Sequence, residues 1–156
     1  MKNEDTEGLQ LYLMVSVIQG VGDMNPKEYI DERYPLSELT GRIIAAARVV
    51  HQELGPGFVE VIYQRALGYE LPAHGVEFER EVRIDVLYRG KSVGKKRVDF
   101  VVGDHSGSAL IEIKAKAKLE DIDFVQTLSY LKASNMKVGT LLNFGSKRLE
   151  VKRLAN

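Results

Sequence analysis

The chain has 156 residues, with 22 Lys+Arg balancing 22 Asp+Glu, 44% hydrophobic and 28% charged, the proportions of an ordinary globular domain. It contains no cysteine, which excludes disulfides, thiolate metal sites and cysteine nucleophiles together. His51, His74 and His105 are scattered with no metal-ligand spacing, and no apolar stretch is long enough to span a bilayer.

The charge is unevenly spread. Residues 1–79 carry 6 Lys+Arg against 13 Asp+Glu, and residues 80–156 carry 16 against 9. A basic half can face a polyanion, although the neutral total argues against strong indiscriminate binding to nucleic acid.

In chain order, residues 1–35 stand apart. The apolar run LQLYLMVSVI at 9–18 follows acidic NEDTEG, the wrong sign for the start of a signal peptide, and no small-residue cleavage site follows. The expected location is cytoplasmic, with no membrane partner. This stretch reads as an N-terminal extension, either packed on the core or partly disordered, and the domain proper is expected over 36–156. The apolar run also offers a contact for a homodimer.

From Leu36 the helical period is clear. SELTGRIIAAARVVHQEL has apolar residues at 39, 43, 46, 47, 50 and 54; Ser37 or Thr40 can cap its start, and Gly55-Pro56-Gly57 ends it. A second helix is expected from Phe58, with Pro72 ending or kinking it. VEFEREVRIDVLY alternates as a strand, RGKSVG is a hairpin turn, KRVDFVV a strand, GDHSGS a turn and ALIEIKAK the antiparallel partner. LEDIDFVQTLSYLKAS returns to a helical period through Ile122, Val125, Leu128 and Leu131. KVGTLLNFG reads as a strand buried on both faces and RLEVKRL as a last one. The order predicts an α/β or α+β architecture, a mixed sheet covered by helices.

ALIEIKAKAK carries the chemistry. In a strand Leu110, Glu112 and Lys114 share one face, and Ile111, Ile113 and Ala115 the other. If the hairpin closes around residues 103–108, Asp99 on the preceding strand comes close to Glu112. Two carboxylates there repel unless a cation lies between them. Oxygen ligands without histidine or cysteine point to magnesium or manganese. The bland alternative is a wet strand with an exposed ion pair, worth at most about 1 kcal/mol.

An Asp on one strand followed by Glu-x-Lys on the next resembles the PD-(D/E)xK nuclease superfamily. Gly57-x-x-Glu60-x-x-Tyr63, followed by RVDFVV, LIEIKA, QTLSYLKAS and VGTLLNFG, resembles the GxxExxY family of small bacterial and archaeal proteins over about residues 36–153. The resemblance implies a restriction-endonuclease-like core and metal-assisted hydrolysis of phosphodiesters. Asp99 and Glu112 would be ligands of a Mg²⁺ or Mn²⁺ ion, and Lys114 would orient the attacking water or stabilise phosphoryl charge. Glu60 would complete the metal shell, and Gln126 would hold Lys114 or a phosphate oxygen. Tyr63, one helical turn from Glu60, is positioned to hydrogen-bond it, and Gly57 serves the backbone at the turn. The implied partner is nucleic acid, DNA ahead of RNA. One departure stands out. Where this family has HEAQ or something close, the chain has Asp123-Phe124-Val125-Gln126. The alternative is a catalytically inactive domain of the same fold that binds nucleic acid or a protein partner.

Overall fold

The computed structural model describes residues 36–104 and 107–156. The N-terminal extension, and His105 and Ser106 of the GDHSGS turn, lie outside the described residues. No helix among the described residues is long and apolar enough to cross a membrane.

Helix α1, Ser37–Leu54, buries Leu39, Ile43, Ala46, Ala47 and Val50, the stripe its sequence period requires. Its start differs from expectation, because no side chain caps it. The helix already begins at Ser37, so Thr40 lies inside the first turn, and its hydroxyl donates to the Leu36 carbonyl at 2.9 Å. Gly55 ends the helix at φ 66, with its N–H on the His51 carbonyl at 2.8 Å. Helix α2, Glu60–Ala73, starts two residues after Phe58, and Pro72 occupies its last turn.

Five strands follow: β1 Glu77–Tyr88, β2 Lys91–Asp104, β3 Gly107–Lys114, β4 Val138–Asn143 and β5 Glu150–Ala155, with helix α3, Asp121–Ser134, between β3 and β4. They form one sheet in the order β1-β2-β3-β4-β5. Only β3 and β4 run parallel, the pair that α3 connects, as a parallel crossover demands. This is a restriction-endonuclease-like α/β fold, a central mixed sheet flanked by helices. Every residue of β4 is buried, the polar Thr140 and Asn143 included, as its reading as a strand covered on both faces requires.

Two cores cover the sheet. On one face α1 and α2 pack through Ile43, Tyr63 and Leu67 against Phe100, Val102, Ile111, Ile113 and Leu142. On the other, Tyr130 and Leu131 of α3 pack against Ile84, Val98, Leu110 and Leu154. Val98 and Phe100 have the same parity in β2 yet enter opposite cores. Glu81, which stands across from Asp99 between the pairs Arg80↔Phe100 and Val82↔Val98, adopts φ 56. That left-handed residue coincides with the reversal of facing in the hairpin, at the position of Asp99.

Helix α3 keeps Leu128 and Leu131 of its expected stripe against the core and turns the other two outward. Ile122 and Val125 are 65% and 51% exposed, while Asp123, Thr127, Tyr130 and Leu131 are buried. Both stripes have helical spacing. The rotation is fixed at the N-terminus, where Asp123 accepts the Glu120 N–H at 2.8 Å in a capping box and ion-pairs with Lys116 at 3.0 Å. At the chain's end Arg153 is buried, whereas Lys147 and Arg148 are exposed.

Candidate active site

The site lies where β2 and β3 part. Their ladder runs from Asp104↔Gly107 to Phe100↔Ile111. Beyond it β2 continues against β1, and β3 against β4. Backbone donors left at the split are taken by side chains. The Asp99 N–H donates to Glu112 Oε1 at 3.2 Å, and the Ile113 N–H donates to Asp99 Oδ2 at 2.7 Å. Each carboxylate thus bonds the backbone of the other strand, which satisfies those amides and holds the two acids side by side.

Burial gives this pair its electrostatics. Glu112 is 6% exposed, so the charged face of β3 is not wet. Loss of water, then the negative charge of Asp99, pushes the Glu112 carboxyl up to about 8, against the opposing Asp99 N–H and Lys114. The Asp99 carboxyl is also raised, because burial outweighs the Ile113 N–H and a 3.0 Å bond from Gln64 Nε2 to Oδ1. Glu60 heads α2. Partial withdrawal of its carboxyl from water raises its pKa; Lys114 opposes this, and Asp99 and Asp123 add to it. Lys114 Nζ donates to Gln126 Oε1 at 3.0 Å, tying β3 to α3. Asp123 is held below the usual carboxylate range. Burial works against its ionisation, but the Glu120 N–H and Lys116 prevail. Lys116 also pairs with Glu120, so it belongs to the α3 cap.

The structure therefore joins Asp99 to Glu112 and Lys114 to Gln126 by hydrogen bonds, and brings the two pairs and Glu60 into electrostatic proximity. Among the described residues no group of three or more His, Asp or Glu side chains is arranged to hold a metal ion, so Glu60, Asp99 and Glu112 form no such group.

Tyr63 corrects its expected partner. Its hydroxyl donates to the Gly55 carbonyl at 2.6 Å and accepts the Phe58 N–H at 3.2 Å, leaving Glu60 alone. Glu60 opens the helix and faces solvent, whereas Tyr63 is fully buried, its ring stacked on Phe144 with centroids 4.8 Å apart. Gly57, within the turn that Tyr63 clamps, adopts φ 115, a conformation L side chains rarely adopt.

The segment after β4 holds the exit of β3. Phe144 N–H donates to the Lys114 carbonyl at 2.9 Å. Asn143 Oδ1 accepts the Lys116 N–H at 3.0 Å, while Asn143 Nδ2 donates to the Lys116 carbonyl at 2.8 Å. A Cβ on Gly145 would stand 2.3 Å from Lys116 N. The buried Asn and the glycine of LLNFG thus shape the backbone just past Lys114.

Three contributors escaped sequence reasoning. Gln64 lies four residues after Glu60, hence on the same helical face, a spacing that could have flagged it. Asn143 is a polar residue in an otherwise apolar strand, also a readable signal. Tyr130, whose hydroxyl is raised first by burial and then by the charges of Glu112 and Asp99, carries no such mark in the sequence.

The solved "Crystal structure of SSO0001" resembles the chain with a TM-score of 0.48 at 20% identity, over 62% of this chain and 50% of that one. The chain thus spans about half the length of that protein. No curated protein sequence matches. The family model described as the PD-(D/E)XK nuclease superfamily matches residues 37–154. With its Asp99 and Glu112-x-Lys114 set in the split between β2 and β3, the chain belongs to the PD-(D/E)XK nuclease superfamily.

Proposed function

We propose that the protein is a divalent-cation-dependent nuclease that hydrolyses phosphodiester bonds, with Asp99, Glu112, Lys114 and Gln126 as its catalytic set. The observation that carries this reading is the exchange of hydrogen bonds between Asp99 and Glu112 at the split. Gly57, Glu60 and Tyr63 support the finer reading that the chain is of the GxxExxY kind.

The donor chemistry fits a hard cation. The two carboxyls stand side by side, and burial together with the Asp99 charge disfavours ionisation of Glu112 beyond what Lys114 offsets. Asp99 and Glu112 would hold Mg²⁺ or Mn²⁺, with Glu60 reaching it through water. When bound, such an ion acts as a Lewis acid toward phosphate and lowers the pKa of its water. The chain's own groups do the rest. Gln64 and the Ile113 N–H fix the Asp99 carboxylate. Gln126 aims the Lys114 ammonium, which orients the attacking water or stabilises charge on phosphoryl oxygen.

One observation favours a non-catalytic nucleic-acid or protein-binding module. At the start of α3, Asp123 is committed to the helix cap and to Lys116. Incubation with single-stranded, duplex and branched DNA and with RNA, in Mg²⁺ or Mn²⁺, separates the readings. A nuclease cuts at least one substrate, and Asp99→Ala and Lys114→Ala abolish cutting. No cutting, or equal cutting by both variants, leaves the binding module.

A further inference from the structure

The β1–β2 hairpin outruns the body of the sheet. β3 pairs with β2 only over residues 100–104, and the last buried side chains before the tip are Ile84 and Val98. From residue 85 to residue 97 every residue is exposed except half-buried Val86. A two-stranded ribbon therefore leaves the protein within two residues of Asp99.

Its composition is not that of a passive loop. Residues 83–97 carry six Lys or Arg against one acid, Asp85, in a chain whose total charge is zero. Arg83 and Arg97 stand directly opposite each other, a like-charge pairing that disfavours the ribbon. The ion pairs available are loose: Lys95 to Asp85 at 3.8 Å and Arg97 to Glu81 at 3.8 Å. The turn is Arg89-Gly90, both at positive φ, 49 and 78. That is the primed geometry a two-residue hairpin needs, normally given to Asn-Gly or Asp-Gly. An arginine at the tip thus accepts a left-handed backbone and sits beside the Tyr88 ring at 5.4 Å. At the base of the ribbon an open cleft of about 490 Å³ between α2 and β1 is lined by Arg65, Gly68, Tyr69, Phe78 and Arg80. Two arginines thus line the body beside the arm, Arg80 on a stretch of β1 that also exposes Glu77, Glu79 and Glu81.

We propose that this ribbon is a DNA-docking arm that enters the major groove of a B-form duplex beside the site. The inference rests on the nuclease reading for its direction but not for its chemistry. A two-stranded β-ribbon fits the B-DNA major groove, whereas the deep, narrow major groove of A-form RNA does not admit it. The eight residue steps from Asp99 to Lys91 reach about 26 Å at the rise of a strand. That corresponds to about eight base pairs between the carboxylates and the tip. The arm thus requires duplex on one side of the bond being cut. The competing role for these lysines is to keep an exposed strand edge from pairing with another copy.

The test is binding of the full chain in EDTA, so that it reads docking without cutting. Fluorescence anisotropy compares the wild type, Arg89→Gly/Lys91→Ser, and a charge-matched control at the far end of the domain, Lys132→Ser/Lys137→Ser. Probes are a 25-base-pair DNA duplex, an RNA duplex and a DNA single strand of the same sequence, and a 6-base-pair DNA hairpin. The ribbon variant should bind the long DNA duplex about ten-fold more weakly than the control does. Its dependence on salt should be shallower by about 1.8 in log–log slope. The three proteins should differ little on the short hairpin, the single strand and the RNA duplex. Equal affinity and slope for the ribbon and control variants overturn the proposal, as does an equal loss on all probes. A ribbon variant that changes oligomeric state in sedimentation while keeping its DNA affinity also overturns it. Failure to cut any substrate leaves these outcomes readable, so the arm and the nuclease reading fail separately.

Discussion

Tyr63 and Phe144 stack with ring centroids 4.8 Å apart and planes 12° from parallel, which joins the helix that begins with Glu60 to the strand exit that holds Lys114. Tyr63 fixes the turn into α2 through Gly55 and Phe58, and Phe144 fixes the Lys114 carbonyl through its backbone N–H. The stack couples two elements whose side chains meet electrostatically at Glu60.

Tyr63→Phe keeps the stack and leaves the Gly55 carbonyl and the Phe58 N–H without their partner. The expected cost is about 1–3 kcal/mol in chemical denaturation. Phe144→Ala opens a cavity in the core and should cost about 3–5 kcal/mol. An unchanged denaturation midpoint for Tyr63→Phe would show that the turn is held by something else.

Glu112 makes stability depend on pH. With its carboxyl raised from 4.5 to about 8, the folded state keeps a proton that the unfolded state has released. Its contribution is therefore full below pH 4.5, falls as pH rises to about 8, and is flat above that. The loss across this window is on the order of a few kcal/mol. Glu112→Gln should remove that slope, so that it gains on the wild type at pH 8. Parallel stability curves for the two proteins from pH 5 to 8 contradict the burial of a protonated acid.

Gly145 tests how the LLNFG segment supports the site. An added Cβ meets Lys116 N at 2.3 Å and Ala115 C at 2.5 Å, backbone atoms that cannot turn away. Gly145→Ala should cost about 3 kcal/mol or more. Gly94→Ala, with nothing within 4 Å, should leave the urea midpoint in place. Equal effects would mean that the exit of β3 is looser than its geometry.

Gln126 and Lys114 should act as one unit in cleavage. Gln126→Leu removes the partner that aims Nζ, so cleavage should fall about ten-fold or more with little change in stability. Adding Gln126→Leu to Lys114→Met should cost little beyond Lys114→Met alone. Multiplicative losses would mean that the two side chains serve different steps.

Much of this was legible before the structure. The alternation of ALIEIK and the placing of Asp99 across from Glu112 follow from strand period and hairpin register alone. The stripe of α1 and the apolar run of β4 are equally direct. Three features were not. The first turn of α3 is set by the charged cap at Asp123 and Lys116, so of the apolar period Ile122, Val125, Leu128 and Leu131 only the last two meet the core. The partner of Tyr63 depends on the turn geometry around Gly57, where helix spacing alone suggested Glu60. The reversal of facing at Asp99 coincides with the left-handed backbone of Glu81, on a different strand, and no local pattern in β2 reveals it.

The most direct measurement is titration of the full chain with Mn²⁺ by calorimetry at pH 7 in two buffers of different ionisation enthalpy. Because Glu112 holds its proton up to about pH 8, binding at Asp99 and Glu112 should release about one proton per ion. Glu112→Gln should release none, and Asp99→Asn should bind at least ten-fold more weakly. Absence of binding by the wild type, or equal affinity and proton release in all three proteins, contradicts a cation held between these carboxylates.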